Sequence, residues 1–253
     1  MTLEIVTVAC LDDNYAYIVK GPDGVCLIDA PEAEPIIDAL EERGWHLGAI
    51  LLTHHHGDHV QGVEELREKY SCKVMGPKAE ETKMPRLDMA LTEGMNGGNG
   101  SAYTVPMEVP GHTLGHMAYY FPNAGVVFTA DSLMAFGCGR VFEGTMEMMW
   151  NSLQKFMALP PETLVYSGHE YTAANGRFAE TIEPNNPDLI ARVEAVAAKR
   201  AKGEPTVPST IAEELATNPF LRGDSPEVQK SVNAVGKDAG TVFARVRQAK
   251  DTF

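Results

Sequence analysis

A run of histidines directly after an apolar segment indicates metal-binding chemistry. Residues 53–59 read THHHGDH and follow the apolar run 49–52. Alternate side chains of an extended segment project to the same side, so His54 and His56 are placed to bind one metal ion. His55 projects to the opposite side and is left out of the predicted ligand set. This spacing differs from the His-x-x-x-His helical spacing of the zinc proteases.

The same run offers ligands to a second metal ion. The chain turns at Gly57, and that turn presents Asp58 and His59. Imidazole and carboxylate ligands suit Zn, Fe or Mn, and a closely spaced pair of ions needs further ligands from several strand ends. Three further candidates each follow an apolar strand: His112, Asp131 and His169.

A site of this composition activates water. Two cations lower the pKa of bound water enough to supply hydroxide near neutral pH. That hydroxide attacks a carbonyl carbon, whose developing oxyanion one ion stabilises. Asp131 has two oxygens with which to bridge both ions, and Asp58 is able to orient the hydroxide. We therefore predict Asp58 and Asp131 as catalytic residues.

The number of these residues argues against a purely structural role. One histidine in a core or a cap is common, whereas five histidines and two aspartates at strand ends indicate a shared site. His116, four residues after His112, is either a hydrogen-bond partner of a ligand or a structural residue. His46 stands alone in a turn and is interpreted as a surface residue.

The composition limits the classes of partner that the protein is expected to bind. The 253 residues include 21 basic and 35 acidic ones, a formal net charge of −14 at pH 7, which argues against a nucleic-acid partner. No apolar run reaches the roughly 18 residues of a membrane span, and residues 1–19 lack a basic leader. The four cysteines stand alone without a C-x-x-C pair, which favours unpaired thiols. We expect a soluble, cytoplasmic monomer without a membrane or nucleic-acid partner.

The elements that position these residues form two regions. In residues 1–169 short apolar runs alternate with amphipathic helices, which predicts an α/β domain of layered sheets and flanking helices. In residues 170–253 helical patterns dominate. The glycine-rich residues 93–101 are interpreted as a hairpin tip, with a functional lid as the alternative. Predicted strands are 3–8, 15–20, 25–29, 49–53, 105–109, 117–121, 125–129 and 164–167, and predicted helices are 32–43, 60–69, 146–159, 187–203 and 241–250.

Several motifs resemble those of the metallo-β-lactamase superfamily. They are residues 53–59 (THHHGDH), 110–116 (PGHTLGH), 130–131 (AD) and 167–169 (SGH). Within that superfamily the sequence resembles the glyoxalase II family, the hydroxyacylglutathione hydrolases, over nearly its whole length. The narrower resemblance is carried by residues 13–15, 137–140, 142–145, 168–172, 203–210, 218–220 and 247–251.

The resemblance implies a fold, a metal content and a substrate. The fold is an αββα sandwich (1–169) followed by a small all-helical domain (170–253) that binds glutathione. Two divalent metal ions bind per chain, with Zn favoured and Fe or Mn as alternatives. The implied substrate is S-D-lactoylglutathione, split to D-lactate and glutathione. One ion is held by His54, His56 and His112, the other by Asp58, His59 and His169, and Asp131 bridges them together with a hydroxide.

Five residues are implied to contact the glutathione part of the substrate. Arg247 and Lys250 are three apart on a predicted helix and share a face. By themselves they indicate solvated surface charges, but the resemblance implies that they hold the glycine carboxylate. Tyr171 matches a residue that bonds the glutathione backbone, and Arg140 stands where many members have lysine. Phe142 stands where some members of the family have a tyrosine whose hydroxyl contacts the substrate, so we expect weaker substrate binding than in a Phe142→Tyr variant.

Other activities of the superfamily are the alternatives. A glutathione persulfide dioxygenase uses one iron and stops without oxygen, and the presence of all seven ligands and a long helical region favours the hydrolase. A β-lactamase would be expected to carry an export leader, and a tRNA-processing nuclease a basic surface. Lactonase activity stays an alternative, because the metal site alone does not exclude an ester as the substrate.

Overall fold

The computed structural model describes residues 3–253, which divide into two compact units. The first unit covers the described residues up to Glu108 together with Leu114–Thr129, and the second covers Val109–Thr113 and Ala130–Phe253. No helix among the described residues is long and apolar enough to cross a membrane.

The first unit is built on a six-stranded sheet, a second group of three strands and three helices. Its strands are β1 (Glu4–Cys10), β2 (Asn14–Gly21), β3 (Gly24–Ile28), β4 (Leu47–Leu51), β5 (Lys73–Pro77), β6 (Met89–Leu91), β7 (Val105–Glu108), β8 (Met117–Phe121) and β9 (Val126–Ala130). Its helices are α1 (Ala33–Glu42), α2 (Gly57–Val60) and α3 (Val63–Tyr70). Strands β1 to β6 pair in sequence order, antiparallel from β1 to β3 and parallel from β3 to β6. Strands β7, β8 and β9 pair antiparallel.

The two faces of the six-stranded sheet are both covered within this unit. On one face, Ile36 of α1 and Leu66 of α3 pack into a core with Ile18 and Ile50. On the other face, Tyr17 of β2 packs against Phe128 of β9, with ring centroids 5.3 Å apart. Burial on both faces explains why β2, which is buried from Asn14 to Val19, contains a continuous apolar run.

The helix predicted over residues 60–69 is divided in the structure. Gly62 separates α2 from α3, and its backbone N–H donates to the carbonyl of Ala30 at 2.9 Å. A Cβ atom at Gly62 would lie 2.9 Å from the backbone nitrogen of Ala33. This close approach of two backbones breaks the helix just after the histidine run, a tertiary contact that periodicity does not reveal.

The sequence patterns missed two strands of the first unit, β5 and β6, and a helix of the second unit. Strand β5 ends in Gly76 and Pro77, and β6 has only three residues, so neither has a strand-like composition. The missed helix α5, with the range Thr172–Ile182, contains Gly176, at which a Cβ atom would lie 3.5 Å from the ring of Phe136. Small residues on its buried face weaken the amphipathic pattern.

The second unit contains six helices and two short strand pairs among its described residues. The strands are β10 (Leu133–Met134), β11 (Gly137–Cys138), β12 (Leu164–Ser167) and β13 (Ser209–Thr210). The helices are α4 (Met146–Met157), α5 (Thr172–Ile182), α6 (Pro187–Arg200), α7 (Ile211–Thr217), α8 (Pro226–Ser231) and α9 (Ala239–Asp251). The start of α6 at Pro187 agrees with the predicted helix 187–203, and a capping box of Thr210 and Glu213 begins α7. The two-residue strand β13, which pairs with β12, interrupts the otherwise helical region.

A buried carboxylate joins three helices of this unit. Glu183, which follows α5, accepts two hydrogen bonds from the guanidinium of Arg222, at 2.7 and 2.9 Å. It also accepts from the Ser225 hydroxyl at 2.6 Å and the Asn186 amide at 2.9 Å. Burial raises the pKa of Glu183, but these donors outweigh burial and lower the pKa below its usual value.

Replacing Glu183 with glutamine should therefore destabilise the protein. Because the folded-state pKa is lowered, the carboxylate contributes stability above its unfolded-state pKa, and this contribution is lost as the pH falls. We expect Glu183→Gln to reduce the free energy of unfolding by about 3 kcal/mol at pH 7, with a smaller deficit in acid. Urea unfolding at several pH values measures this. The exposed Glu194→Gln on α6 is the control, and an equal loss in both variants would contradict the assignment.

Candidate metal centre

The histidine run follows the central parallel strand of the first unit. Strand β4 ends at Leu51, and the chain continues into two fully buried imidazoles, His54 and His59. His56 and Asp58 are half-buried. The Nε2 atom of His54 lies 3.1 Å from Nδ1 of His56, and the rings of His54 and His59 are 4.2 Å apart. Four of the predicted ligands thus converge at the carboxyl end of β4.

Asp29 orients two of these imidazoles. It directly follows β3, is 2 % exposed and has a left-handed φ of 57°. One oxygen accepts from the backbone N–H of Thr53, and the other accepts from the Thr53 hydroxyl and from His59 Nδ1, all at 2.8 Å. Since the Thr53 hydroxyl hydrogen goes to Asp29, its oxygen accepts from His54 Nδ1 at 3.0 Å.

Sequence reasoning did not select Asp29, although a signal for it existed. Asp29 follows an apolar strand, which is the same feature that selected Asp131. Ligand atoms of Asp29, His54 and His59 lie within 4.8 Å of one another. Because N–H and O–H donors already engage both oxygens, we interpret Asp29 as the residue that orients the ligands.

Asn14 holds Asp58, the predicted acidic ligand of the first unit. The amide of Asn14 donates to the backbone carbonyl of Asp58 at 3.0 Å and to its carboxylate at 3.1 Å. The same carboxylate oxygen lies 3.8 Å from Nε2 of His59. Asn14 belongs to the motif of residues 13–15, so this contact gives that motif a physical role.

The second unit brings the other three predicted ligands together. His112, Asp131 and His169 are all buried. The Oδ2 atom of Asp131 lies 3.4 Å from Nε2 of His112 and 3.3 Å from Nε2 of His169. The Gly168 N–H donates to the carbonyl of Ala130 at 3.1 Å, which aligns the strand ends that carry two of these residues.

The donor set fits divalent metal ions. His59 and His112 each donate Nδ1–H to an oxygen that only accepts, a carboxylate in the first case and the Arg140 carbonyl at 2.8 Å in the second. Together with His54, three imidazoles therefore present Nε2 as the acceptor nitrogen, as is usual in histidine–metal sites. Ligands about 2.05 Å from a tetrahedral ion are about 3.3 Å apart, close to the separations observed within each unit.

The three histidines outside the predicted ligand set have other surroundings. Both the backbone N–H and Nδ1 of His55 bond Glu80 at 2.8 Å. His116 is buried, and its ring stacks on that of His54 with centroids 4.7 Å apart. His46 is exposed and meets the ring of Tyr70 edge-on.

Two of the predicted substrate residues touch ligand imidazoles. The ring of Tyr171 stacks on His169, with centroids 4.6 Å apart and planes 9° from parallel. The ring of Phe142 meets His112 edge-on at 5.3 Å and is 61 % exposed. Both aromatic residues therefore lie at the half of the ligand set that the second unit carries.

A carboxylate links the two predicted arginines. Asp251 lies 3.1 Å from Nε of Arg140 and 3.0 Å from a terminal nitrogen of Arg247. Arg247 is 5 % exposed and also donates to the carbonyl of Cys138 at 2.8 Å. Sequence reasoning missed Asp251, although it stands four residues after Arg247, a spacing that brings side chains together on a helix.

Lys250 extends this positive charge. Its amine lies 5.2 Å from the ring centre of Phe178 and 5.0 Å from that of Phe253. Burial, followed by repulsion from the Arg247 and Arg177 guanidiniums, lowers the pKa of Lys250. The repulsion arises because Arg247 and Arg177 place two further positive charges near Lys250, in a chain of net charge −14.

Comparison with known proteins assigns the chain. The family described as "Metallo-beta-lactamase superfamily" matches residues 11–169, and the family described as "Hydroxyacylglutathione hydrolase C-terminus" matches residues 170–253. Hydroxyacylglutathione hydrolase from Cereibacter sphaeroides is 54 % identical over the whole of both chains, and that from Jannaschia sp. is 55 % identical over 99 % of this chain and 98 % of its own. The chain belongs to the hydroxyacylglutathione hydrolase family. It is a hydrolase of the metallo-β-lactamase superfamily, and the predicted fold class is confirmed.

Solved structures agree with this fold. TTHA1623 in a di-iron-bound form has a TM-score of 0.63 at 27 % identity, covering 86 % of this chain and 100 % of its own. ETHE1 from Myxococcus xanthus has a TM-score of 0.64 at 24 % identity, covering 99 % and 98 %. Together with the histidine and aspartate clusters, membership of this superfamily indicates that the protein binds divalent metal ions.

Replacing Asp29 with asparagine should weaken metal binding without disturbing the backbone. Asparagine tolerates the left-handed conformation, but its amide N–H₂ cannot accept from His59. The neutral imidazole of His59 would then favour the tautomer with its proton on Nε2, and this nitrogen could no longer bind a metal ion. We expect a 10- to 100-fold lower zinc affinity, measured by competition with a chromogenic chelator. The exposed Asp38→Asn is the control, and unchanged affinity in Asp29→Asn would refute this role.

Proposed function

We propose that the protein hydrolyses S-D-lactoylglutathione to D-lactate and glutathione. The observation that carries the proposal is the position of buried imidazoles and a cationic group in the same unit. There, His112 and His169 lie beside Phe142 and Tyr171, and Arg140, Arg247 and Lys250 form the cationic group. The full-length curated relatives named hydroxyacylglutathione hydrolase support the same substrate.

The proposed metal content is two divalent ions per chain, with zinc favoured and iron or manganese as alternatives. When bound, such ions lower the pKa of a water molecule and polarise the thioester carbonyl. The proposed ligands are His54, His56 and His112 for one ion, Asp58, His59 and His169 for the other, and Asp131 for both.

The chain's own residues prepare the reaction in three ways. Asp29 and the Arg140 carbonyl hold imidazoles in the tautomer that binds metal. Asn14 fixes the carboxylate of Asp58, which we propose orients the attacking water. The leaving group is a thiolate, which departs without protonation by a strong protein acid. For this reason we propose no additional residue as a general acid.

Substrate recognition is proposed to use the cationic group of the second unit. The glycine carboxylate of glutathione carries negative charge, and Arg247 and Lys250 offer the matching positive charge. Tyr171 is proposed to bond the peptide backbone of glutathione. Phe142 has no hydroxyl and can only pack against the substrate, while Arg140 keeps the charge of the lysine found in many members.

The proposal has consequences for organisation and location. Residues 1–169 are proposed as the catalytic domain and residues 170–253 as the region that binds glutathione. The four cysteines are unpaired, which supports a reducing, cytoplasmic location. A monomer with a small-molecule substrate, and without a nucleic-acid or membrane partner, is part of the same proposal.

A thioester assay with metal analysis of the same sample tests the proposal. Loss of the thioester absorbance of S-D-lactoylglutathione should proceed equally with and without oxygen, in a preparation that holds about two metal ions per chain. An active sample with one ion would overturn the binuclear site. A metal-loaded protein that leaves the thioester intact would overturn the substrate, and turnover that stops without oxygen would indicate a dioxygenase.

Removing the charge of Lys250 should weaken substrate binding and spare the chemistry. A charged hydrogen bond contributes about 1.5–3 kcal/mol, so Lys250→Met should raise KM at least about tenfold. The value of kcat should change less than about twofold, because the contact is present in both the bound substrate and the transition state. Initial-rate kinetics measure both constants. Lys237→Met, at an exposed position, is the control, and a fall in kcat at constant KM would argue against carboxylate binding by Lys250.

A further inference from the structure

Glu80 is a buried carboxylate that the proposed reaction does not use directly. It ends the short 3₁₀ helix Lys78–Glu80, which follows β5, and is 1 % exposed. One oxygen accepts from both the backbone N–H and Nδ1 of His55 at 2.8 Å. The other accepts from the backbone N–H of Gly115 at 2.9 Å. Burying a carboxylate is costly unless such donors compensate for the lost water.

The packing at Gly115 shows that this arrangement is tight. A Cβ atom on Gly115 would lie 2.6 Å from Cγ of Glu80 and 2.8 Å from Cβ of Ala79. Glycine at this position therefore allows the carboxylate to reach the backbone. This steric observation is independent of the hydrogen bonds and indicates the same close contact.

The two segments that Glu80 joins both flank His54. His55 stands between His54 and His56 in the chain, so its backbone N–H sets the path of the segment that carries both imidazoles. Gly115 precedes His116, whose ring stacks on that of His54 with planes 20° apart. The Glu80 carboxylate therefore holds two backbone segments. One is that of His55, the neighbour of His54 in the chain, and the other is that of Gly115, the neighbour of His116, whose ring stacks on His54.

We propose that Glu80 is a positioning residue that sets the orientation of His54 and His56 through the backbones of His55 and Gly115. Its action differs from that of Asp29, which bonds the side chains of Thr53 and His59 directly. The inference rests on the metal site that the proposed function requires, but not on the identity of the substrate. It also gives His55 a role, as a residue that anchors the segment between two ligands.

The substitution Glu80→Gln tests this assignment. An amide has one acceptor oxygen and one donor nitrogen, so it can keep only one of the two backbone bonds. We expect the zinc affinity of the metal-free protein to fall 10- to 100-fold in a chelator competition. The visible absorption spectrum of the cobalt-substituted protein should change in band position or intensity, because it reports ligand geometry. For the loaded enzyme, kcat should fall while KM changes less than about twofold.

The chain provides a matched control and a second route to the same site. Glu81→Gln makes the same chemical change at the next residue, which is exposed, and should leave affinity, spectrum and kinetics unchanged. Gly115→Ala leaves Glu80 intact but forces it away from the backbone, and should reproduce the loss of affinity and the altered spectrum. It also supplies the test if Glu80→Gln does not fold.

The results separate positioning from general stability. A lower melting temperature with wild-type zinc affinity and a wild-type cobalt spectrum, in either variant, would overturn the proposal. Equal effects from Glu81→Gln would also overturn it. Metal binding is measured without substrate, so a wild-type protein inactive on the thioester would overturn the proposed function and leave this inference standing.

Discussion

The orientation of buried imidazoles by carboxylates is the constraint on which the site depends. A histidine can bind a metal ion through Nε2 only if Nδ1 carries the proton, and in water the two tautomers interchange. Here the Asp29 carboxylate accepts a hydrogen bond from Nδ1–H of His59, and the Thr53 hydroxyl, which donates to Asp29, accepts one from Nδ1–H of His54. Burial stabilises these tautomers, because a buried donor or acceptor without a protein partner would lose its hydrogen bond to water and gain none in return.

The cost of that constraint is visible in the backbone. Asp29 has a left-handed φ of 57°, and Ala130, immediately before Asp131, has one of 41°. Non-glycine residues adopt such angles rarely and at a cost of about 1–3 kcal/mol each. Asp29 directly follows β3, and Ala130 ends β9 directly before Asp131. The backbone strain therefore lies at two strand ends that each place a carboxylate beside the histidines.

Positively charged side chains lie close together in the second unit, despite the acidic composition of the chain. Arg140 and Arg247 share Asp251, and burial, followed by repulsion from Arg247 and Arg177, lowers the pKa of Lys250. The charged groups are Arg247 and Lys250 on α9, together with Arg140. The helices of this unit are joined by buried ion pairs, such as that between Arg192 and Glu214 at 2.6 Å.

The sequence alone determined the family and the fold class of the protein. Residue types and their place after apolar strands selected His54, His56, Asp58 and His59, and motif resemblance supplied the family and the fold class that the comparisons confirm. The seven-ligand assignment and the substrate contacts stay predictions. Local patterns sufficed because metal ligands need particular side chains, and strands that bury both faces need apolar residues throughout.

Only the tertiary structure decided which residues support the metal ligands and the cationic group. Asp29 contacts Thr53, Glu80 contacts His55 and Asp251 contacts Arg140. Each partner is distant along the chain, and the sequence around a carboxylate does not indicate which donor it meets. The same holds for Gly62, which breaks a helix because another backbone approaches it, and for α5, whose small buried residues blur its periodicity. Hydrogen bonds and close packing are properties of residues in space, which spacing along a chain does not encode.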